Sequence, residues 1–343
     1  SPEEQFVKDR RKAMGGPVPF RRDDAPPLSI PSLKEFSQML ESSGDREIST
    51  TMAFVRMLNK LAKDKKIGRH IVPIIPDEAR TFGMEGMFRQ LGIYAPSGQL
   101  YEPQDAKEIM WYREDEKGQI LEEGISEAGA VSSWIAAGTA HAQYGIHMIP
   151  FYTFYSMFGF QRVGDFIWAA ADSRARGFLM GATAGRTTLN GEGLQHQDGH
   201  GLLMASTVPN CLSFDPTFSY ELGVIIQDGM ERMYSKREDI FYYITLMNEN
   251  YTHPEMPEDA REGILKGMYL LKKADAKSKL KVQLMGSGTI LREVLAAAEL
   301  LKKDYGVDAD VWSILGVNQL HRDGIETERW NLTHPTANQR KPY

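Results

Sequence analysis

Cysteine is almost missing from this sequence: Cys211 stands alone among 343 residues. No disulfide can form within the chain, and such usage fits a reducing compartment, so a cytoplasmic setting is expected. Val208 and Leu212 flank Cys211, which therefore reads as a small buried apolar side chain rather than a nucleophile. Long apolar runs are also missing, and with a mean hydropathy of -0.39 this argues against a membrane-spanning helix. Positive excess is missing too. Forty Lys and Arg against 46 Asp and Glu leave a net charge of -6, which disfavours a general nucleic-acid binder. The basic clusters Lys63 to Lys66 and Lys272 to Lys281 then read as solvated faces. Gly286-Ser287-Gly288 lacks a third glycine at the dinucleotide spacing and is weak evidence for a nucleotide. Repeats and low-complexity tracts are absent. The chain opens at Ser1 without an initiator Met or a secretory signal and closes at Arg340 to Tyr343, and reads as a piece of something longer.

What is present is the composition of an ordinary globular protein of about two domains. Residues 1–30 hold Gly15-Gly16-Pro17, Pro19, Pro26 and Pro27 among charges, and read as an extended surface connector. Ser32 and Glu35 resemble a capping box that opens a helix over Leu33 to Leu40. A second helix is expected from Ser49, with Met52, Phe54, Val55, Leu58 and Leu61 on its apolar face. Short apolar strands then alternate with helices. Strands are expected at 70–75, 146–151, 178–183, 210–214 and 240–247, and helices at 128–144, 158–176, 199–206 and 218–234. This alternation predicts an α/β fold with a mainly parallel sheet. Residues 92–118, long for a connector, suggest a lid. After His253-Pro254, residues 280–285, 290–303 and 309–315 predict one βαβ unit of a second α/β domain. The expected divisions are 1–48 (connector and first helix), 49–256 and 257–343.

The chemistry concentrates in a few stretches. Glu127 lies between Gly124 and Gly129, at the entry to a helix rich in Ala, Ser and Gly. A helix N-terminus favours its carboxylate and burial favours the neutral acid, which suits a proton carrier. An acidic helix cap is the plainer reading on local sequence alone. Pro76-Asp77-Glu78-Ala79-Arg80 follows a strand, where ligands bind in parallel sheets, and reads equally as a surface ion-pair turn. The loop 185–200 crowds polar groups among glycines. Its His196, His200, Glu192 and Asp198 raise the question of a metal, but glycines break the helical spacing and Cys ligands are lacking, so no metal site is expected here. His141 and His147 read as structural.

Four stretches in order, 74–83, 124–129, Phe151 to Phe158 and Gly191 to Asp198, resemble the thiamine diphosphate enzymes of the transketolase superfamily. The likeness covers essentially the whole chain and is strongest to the homodimeric pyruvate dehydrogenases. It implies that 49–256 is a pyrimidine-binding domain of transketolase type and that 257–343 begins the C-terminal domain. The superfamily's Gly-Asp-Gly…Asn signature for magnesium diphosphate is absent, so Mg2+ ligands are expected in a preceding domain and each site is expected to be shared by two subunits. The resemblance assigns Glu127 to proton exchange with the aminopyrimidine ring. It makes Ile125 the wedge that bends the cofactor, and Phe158 the ring that stacks on the pyrimidine. Tyr155 and His196 are implied in pyruvate binding and proton transfer, with Glu78 and Asp77 in an acidic network nearby. The implied reaction decarboxylates pyruvate and acetylates a lipoyl domain of the partner acyltransferase. A ketose-phosphate enzyme with the same glutamate, or a noncatalytic dimer-forming fragment, are the alternatives.

Overall fold

The structure is a computed structural model describing residues 1–16, 23–76, 79–104, 112–182, 184 and 196–343. The apolar stretches form strands β1 (Ile71–Ile75), β2 (Leu121–Glu122), β3 (Ile149–Tyr155), β4 (Phe178–Ala182), β5 (Cys211–Phe214) and β6 (Phe241–Thr245). They join in one six-stranded sheet of order β2-β1-β3-β4-β6-β5, parallel at every pairing. Central strands of such a sheet are covered on both faces, which is why β1, β4 and β6 are buried throughout.

Alternation along each strand sorts the core into two layers. The helices of the first unit include α1 (Pro2–Ala13), α2 (Thr50–Ala62), α3 (Glu127–Gly138), α4 (Phe160–Asp172), α5 (Gly201–Ser206) and α6 (Ser219–Met230). Ile71, Ile75, Phe151 and Met180 pack with Phe54 and Leu58 of α2 and Val224 and Ile225 of α6. Val72, Ile74, Tyr152 and Phe154 pack with Trp134 of α3, Ile167 of α4 and Ala205 of α5. Trp134, wholly buried, also donates its indole N–H to the Phe178 carbonyl at 3.2 Å. The start of the first unit closes onto its end. Thr51 donates its amide and its hydroxyl to the Met247 carbonyl, 196 residues away, and Ile48 pairs with Tyr251.

The second unit contains α7 (Ala260–Lys266), β7 (Met268–Lys272), β8 (Lys281–Gly286), α8 (Ile290–Tyr305), β9 (Asp308–Ile314) and α9 (Val317–Thr333). The expected βαβ unit is β8-α8-β9. Its sheet has the order β8-β9-β7, and β7 runs antiparallel. A buried carboxylate joins the two units. Glu221 of α6 accepts the Thr217 and Phe218 amides (2.6 and 3.0 Å), and from the second sheet the Tyr269 and Ser313 hydroxyls (both 2.7 Å). Gly286-Ser287-Gly288 serves the same junction: Ser287 Oγ donates to Asp215 at 2.6 Å.

Three expectations are corrected. Residues 2–13 are helical rather than extended, because Ser1 caps the helix, Glu3 and Glu4 sit at its positive end, and Arg10, Arg11 and Lys12 sit at its negative end. Gly15 and Gly16 end it. Ser32 makes no capping bond, and Leu33–Phe36 forms a 3-10 turn that leads into a short helix at Ser37–Leu40. Helix α9 and strand β7 went unforeseen. Within 92–118, Ile93–Tyr94 pairs in parallel with Glu114–Asp115, while 105–111 lies outside the described residues.

Candidate functional site

The candidate residues gather beyond the carboxyl ends of the strands. After β2 the chain turns at Gly124, whose φ of +69° favours glycine. Ser126 then caps α3 by accepting the Gly129 amide at 3.2 Å, and Ser133 of α3 hydrogen-bonds back to Glu123. Glu127 is thereby fixed as the first residue of α3, 7% exposed. Ile125, two residues earlier, is 78% exposed.

Strand β3 delivers the second group. Tyr155 ends it, Phe158 closes the following 3-10 turn, and α4 begins at Phe160. From the first turn of α4, Arg162 donates to Glu127 Oε2 at 2.9 Å and lays its guanidinium over the Phe158 ring, 4.1 Å from the centroid. The helix departs from helical values at Val163, beside Gly164, just after this arginine. His196 packs edge-on against Tyr155 (4.7 Å between centroids) and tilted against Phe158 (5.5 Å). Phe82 backs Tyr155 at 5.2 Å. The His196 Nδ1 is buried without a hydrogen-bond partner among the described residues.

Burial, and secondarily the charge of Glu127, push the Tyr152 phenol upward, so it stays protonated behind the site. Burial also raises the Asp215 carboxyl at the end of β5. Glu127, Ile125, Tyr155, Phe158 and His196 thus share one end of the sheet. Asp77 and Glu78 lie outside the described residues, as do 183 and 185–195. Asp198 binds amide and side-chain donors, and among the described residues no group of three His, Cys, Asp or Glu is placed to hold a metal ion. Sequence reading missed Arg162. Its partner is 35 residues away, and no local pattern announces the pairing.

The opposite end of the sheet holds a second histidine cluster. His141 and His147 stack at 6.1 Å beside the wholly buried Arg176, which binds Asp239 at 3.0 Å, the Arg237 carbonyl at 2.8 Å and Asp23 at 3.4 Å. Burial, then Arg176, pull His147 down to about 4. Cys211 is buried, and burial pushes its thiol up to about 12. No described helix is long and apolar enough to cross a membrane.

Comparison with known proteins agrees with this architecture. The sequence profile of the pyruvate dehydrogenase E1 component middle domain matches residues 28–254, and that of the transketolase-like C-terminal domain matches 267–339. The pyruvate dehydrogenase E1 component of Pseudomonas aeruginosa is 61% identical over 343 residues, covering 100% of this chain and 39% of that protein. That of Escherichia coli K12 is 56% identical over 345 residues, with coverage of 100% and 39%. The chain therefore spans about two fifths of the length of these curated relatives. Among solved structures, transketolase from Campylobacter jejuni superposes with a TM-score of 0.61 at 20% identity, over 86% of this chain and 40% of that one. Transketolase from Leishmania mexicana gives 0.63 at 17%, over 86% and 38%. These two likenesses show a transketolase-type fold. With its profile match spanning most of the sequence, the chain belongs to the pyruvate dehydrogenase E1 component family.

Proposed function

We propose that this chain supplies the pyrimidine-binding half of a thiamine diphosphate site that decarboxylates pyruvate and passes the acetyl group to a lipoyl domain of the partner acyltransferase. The observation that carries this reading is the placement of Glu127: a buried carboxylate at a helix start, two residues after an isoleucine left in water. Arg162 holds Glu127 Oε2, and near this carboxylate stand the exposed Ile125 and the Phe158 ring, so a hydrogen-bonding acid and apolar surface are offered together. A flat heteroaromatic ring with basic nitrogens suits both features.

The remaining residues fit the same cofactor. Phe158 offers a ring face, and His196 offers a buried nitrogen without a partner among the described residues. When bound, thiamine diphosphate supplies a carbon nucleophile and an electron sink for decarboxylation. Glu127 holds and returns a proton at the pyrimidine nitrogen, and Arg162 holds its Oε2 in place. Ile125 would be the wedge against which the bound cofactor rests. Tyr155 and His196 bind the carboxylate of pyruvate and exchange protons with the reacting oxygen, and Asp77 and Glu78 extend the acidic network.

The diphosphate and its Mg2+ are assigned to a domain outside this chain, contributed by the second subunit of a homodimer. Exposed Phe166 and Trp168 on α4, Leu203 on α5 and the small exposed side chains Ala128, Ser132 and Ala136 on α3, a helix that packs against α4, support a covered face there. A cytoplasmic enzyme acting on pyruvate, with neither nucleic acid nor membrane as partner, is the setting proposed.

The test is Glu127→Ala in the full-length protein, with pyruvate and a ketose phosphate compared as substrates. A loss of at least about two orders of magnitude in pyruvate turnover is expected, the scale of an acid–base group. Near-normal turnover overturns the assignment, and preference for the sugar phosphate moves the chain to the transketolase activity.

A further inference from the structure

Two residues after His196 the chain carries Asp198, a carboxylate only 7% exposed and surrounded by donors. Its Oδ1 accepts the His200 amide at 2.8 Å, the Gly201 amide at 3.0 Å and the Gln161 side-chain amide at 2.9 Å. Its Oδ2 faces the Tyr243 hydroxyl at 3.5 Å. Gly201 is required where it stands, since an added Cβ would lie 2.6 Å from Asp198 Oδ2 and 2.5 Å from Tyr243 Oη. The two backbone amides are ordinary capping partners at the start of α5. The Gln161 bond is different, because it crosses to α4 at the residue immediately before Arg162.

These contacts close a circuit. Glu127 binds Arg162, Arg162 covers Phe158, and Phe158 touches His196. His196 leads along the chain to Asp198, and Asp198 binds Gln161, the neighbour of Arg162. The other end of the Gln161 amide lacks a counterpart: its Oε1 is buried with no hydrogen-bond partner among the described residues, which disfavours folding. A residue kept for stability alone would be better replaced by an apolar one of similar size.

We propose that Asp198 and Gln161 are positioning residues: their hydrogen bond fastens the His196 segment to α4, so that His196 and Glu127 act on one bound substrate in a fixed relation. This rests on the reading of His196 and Glu127 given above. Both residues act through His196, since neither is among the groups assigned to touch cofactor or pyruvate.

The experiment uses the full-length protein assembled with its acyltransferase, and follows pyruvate-dependent acetyl transfer and pyruvate-dependent ferricyanide reduction. Gln161→Leu is expected to lower kcat about tenfold, the scale of a small misplacement of a reacting group, with KM little changed. Its thermal midpoint should be unchanged or raised. In a His196→Ala background the same substitution should cause no further loss, because the two changes act through one group. Asp198→Asn, which keeps an oxygen for the three N–H donors, should stay within about threefold of the parent. Asp198→Leu should lose at least as much activity as Gln161→Leu. A Gln161→Leu enzyme with the parent kcat, or losses that multiply in the double variant, would overturn the positioning role while a slow His196→Ala leaves the catalytic reading intact. His196→Ala at the parent rate overturns the reading of His196 itself, and the positioning role falls with it.

Discussion

The two ends of the six-stranded sheet hold similar chemical inventories and treat them differently. At the carboxyl end an arginine, a histidine, a tyrosine and a glutamate meet around Phe158, and the Arg162 side chain is 49% exposed. At the amino end an arginine, two histidines, a tyrosine and two aspartates also meet, but Arg176 is wholly sealed and His147 is 3% exposed. There Arg176 Nε and Nη1, both His147 nitrogens and the Tyr234 hydroxyl have no partner among the described residues. The contrast teaches that residue type does not mark a working site. One end buries its carboxylate and leaves the arginine within reach of an incoming molecule, and the other seals its arginine within the fold and leaves the aspartates partly in water.

The sharpest way to break this comparison is at the closed end. Arg176→Met removes the hydrogen bonds to Asp239, Asp23 and the Arg237 carbonyl, with Arg174 remaining 3.6 Å from Asp239, and is expected to destabilise the protein by about 3 kcal/mol, read by urea unfolding, while turnover per folded molecule stays at the parent level. A fall in turnover with unchanged stability would show that the amino end takes part in catalysis. Acid provides the next test. His147 gains its proton near 6.5 when unfolded and near about 4 when folded, so between those values the unfolded chain binds more protons. Its contribution is complete above pH 6.5 and is lost as the pH falls toward 4, by about 3 kcal/mol in all. His147→Phe should flatten that slope; an unaltered slope would assign the acid sensitivity elsewhere.

At the open end the balance reverses. Arg162→Gln should lower kcat about tenfold by freeing Glu127, and cost about 1–3 kcal/mol of stability, because the half-exposed arginine leaves behind a carboxylate that is only 9% exposed. Loss of stability without loss of rate would make this ion pair a structural one. The smallest effect concerns Cys211, at the start of β5. With its thiol pushed up to about 12, it should resist alkylation at neutral pH until the protein unfolds, as mass spectrometry would show.

Much of this was legible in the sequence because burial leaves periodic marks. The alternation of buried strands with half-buried helices gave the parallel sheet, and glycines around Glu127 gave its turn. What escaped was whatever burial does not write. Helix α1 has no buried residue and α9 buries only Asn318, so neither shows an apolar stripe; caps and end charges hold α1 instead. Arg162 and Gln161 sit in α4 as ordinary polar residues, and their partners are 35 and 37 positions away. Glu221 looks like a surface acid in sequence, yet it is wholly buried because a second sheet lies over α6. Long-range pairing decides such residues, and local pattern cannot express it.

The closure of Thr51 onto Met247 also sets a timetable for synthesis. The amphipathic helix α2 is made 196 residues before the carbonyl that receives it. At about 5–20 residues per second, roughly 10 to 40 s pass between the two events on the ribosome. During that interval the face formed by Phe54, Leu58 and Leu61 has no finished sheet to rest on. The nascent chain is then a client for any factor that shields apolar surface, and a slowed ribosome lengthens its exposure.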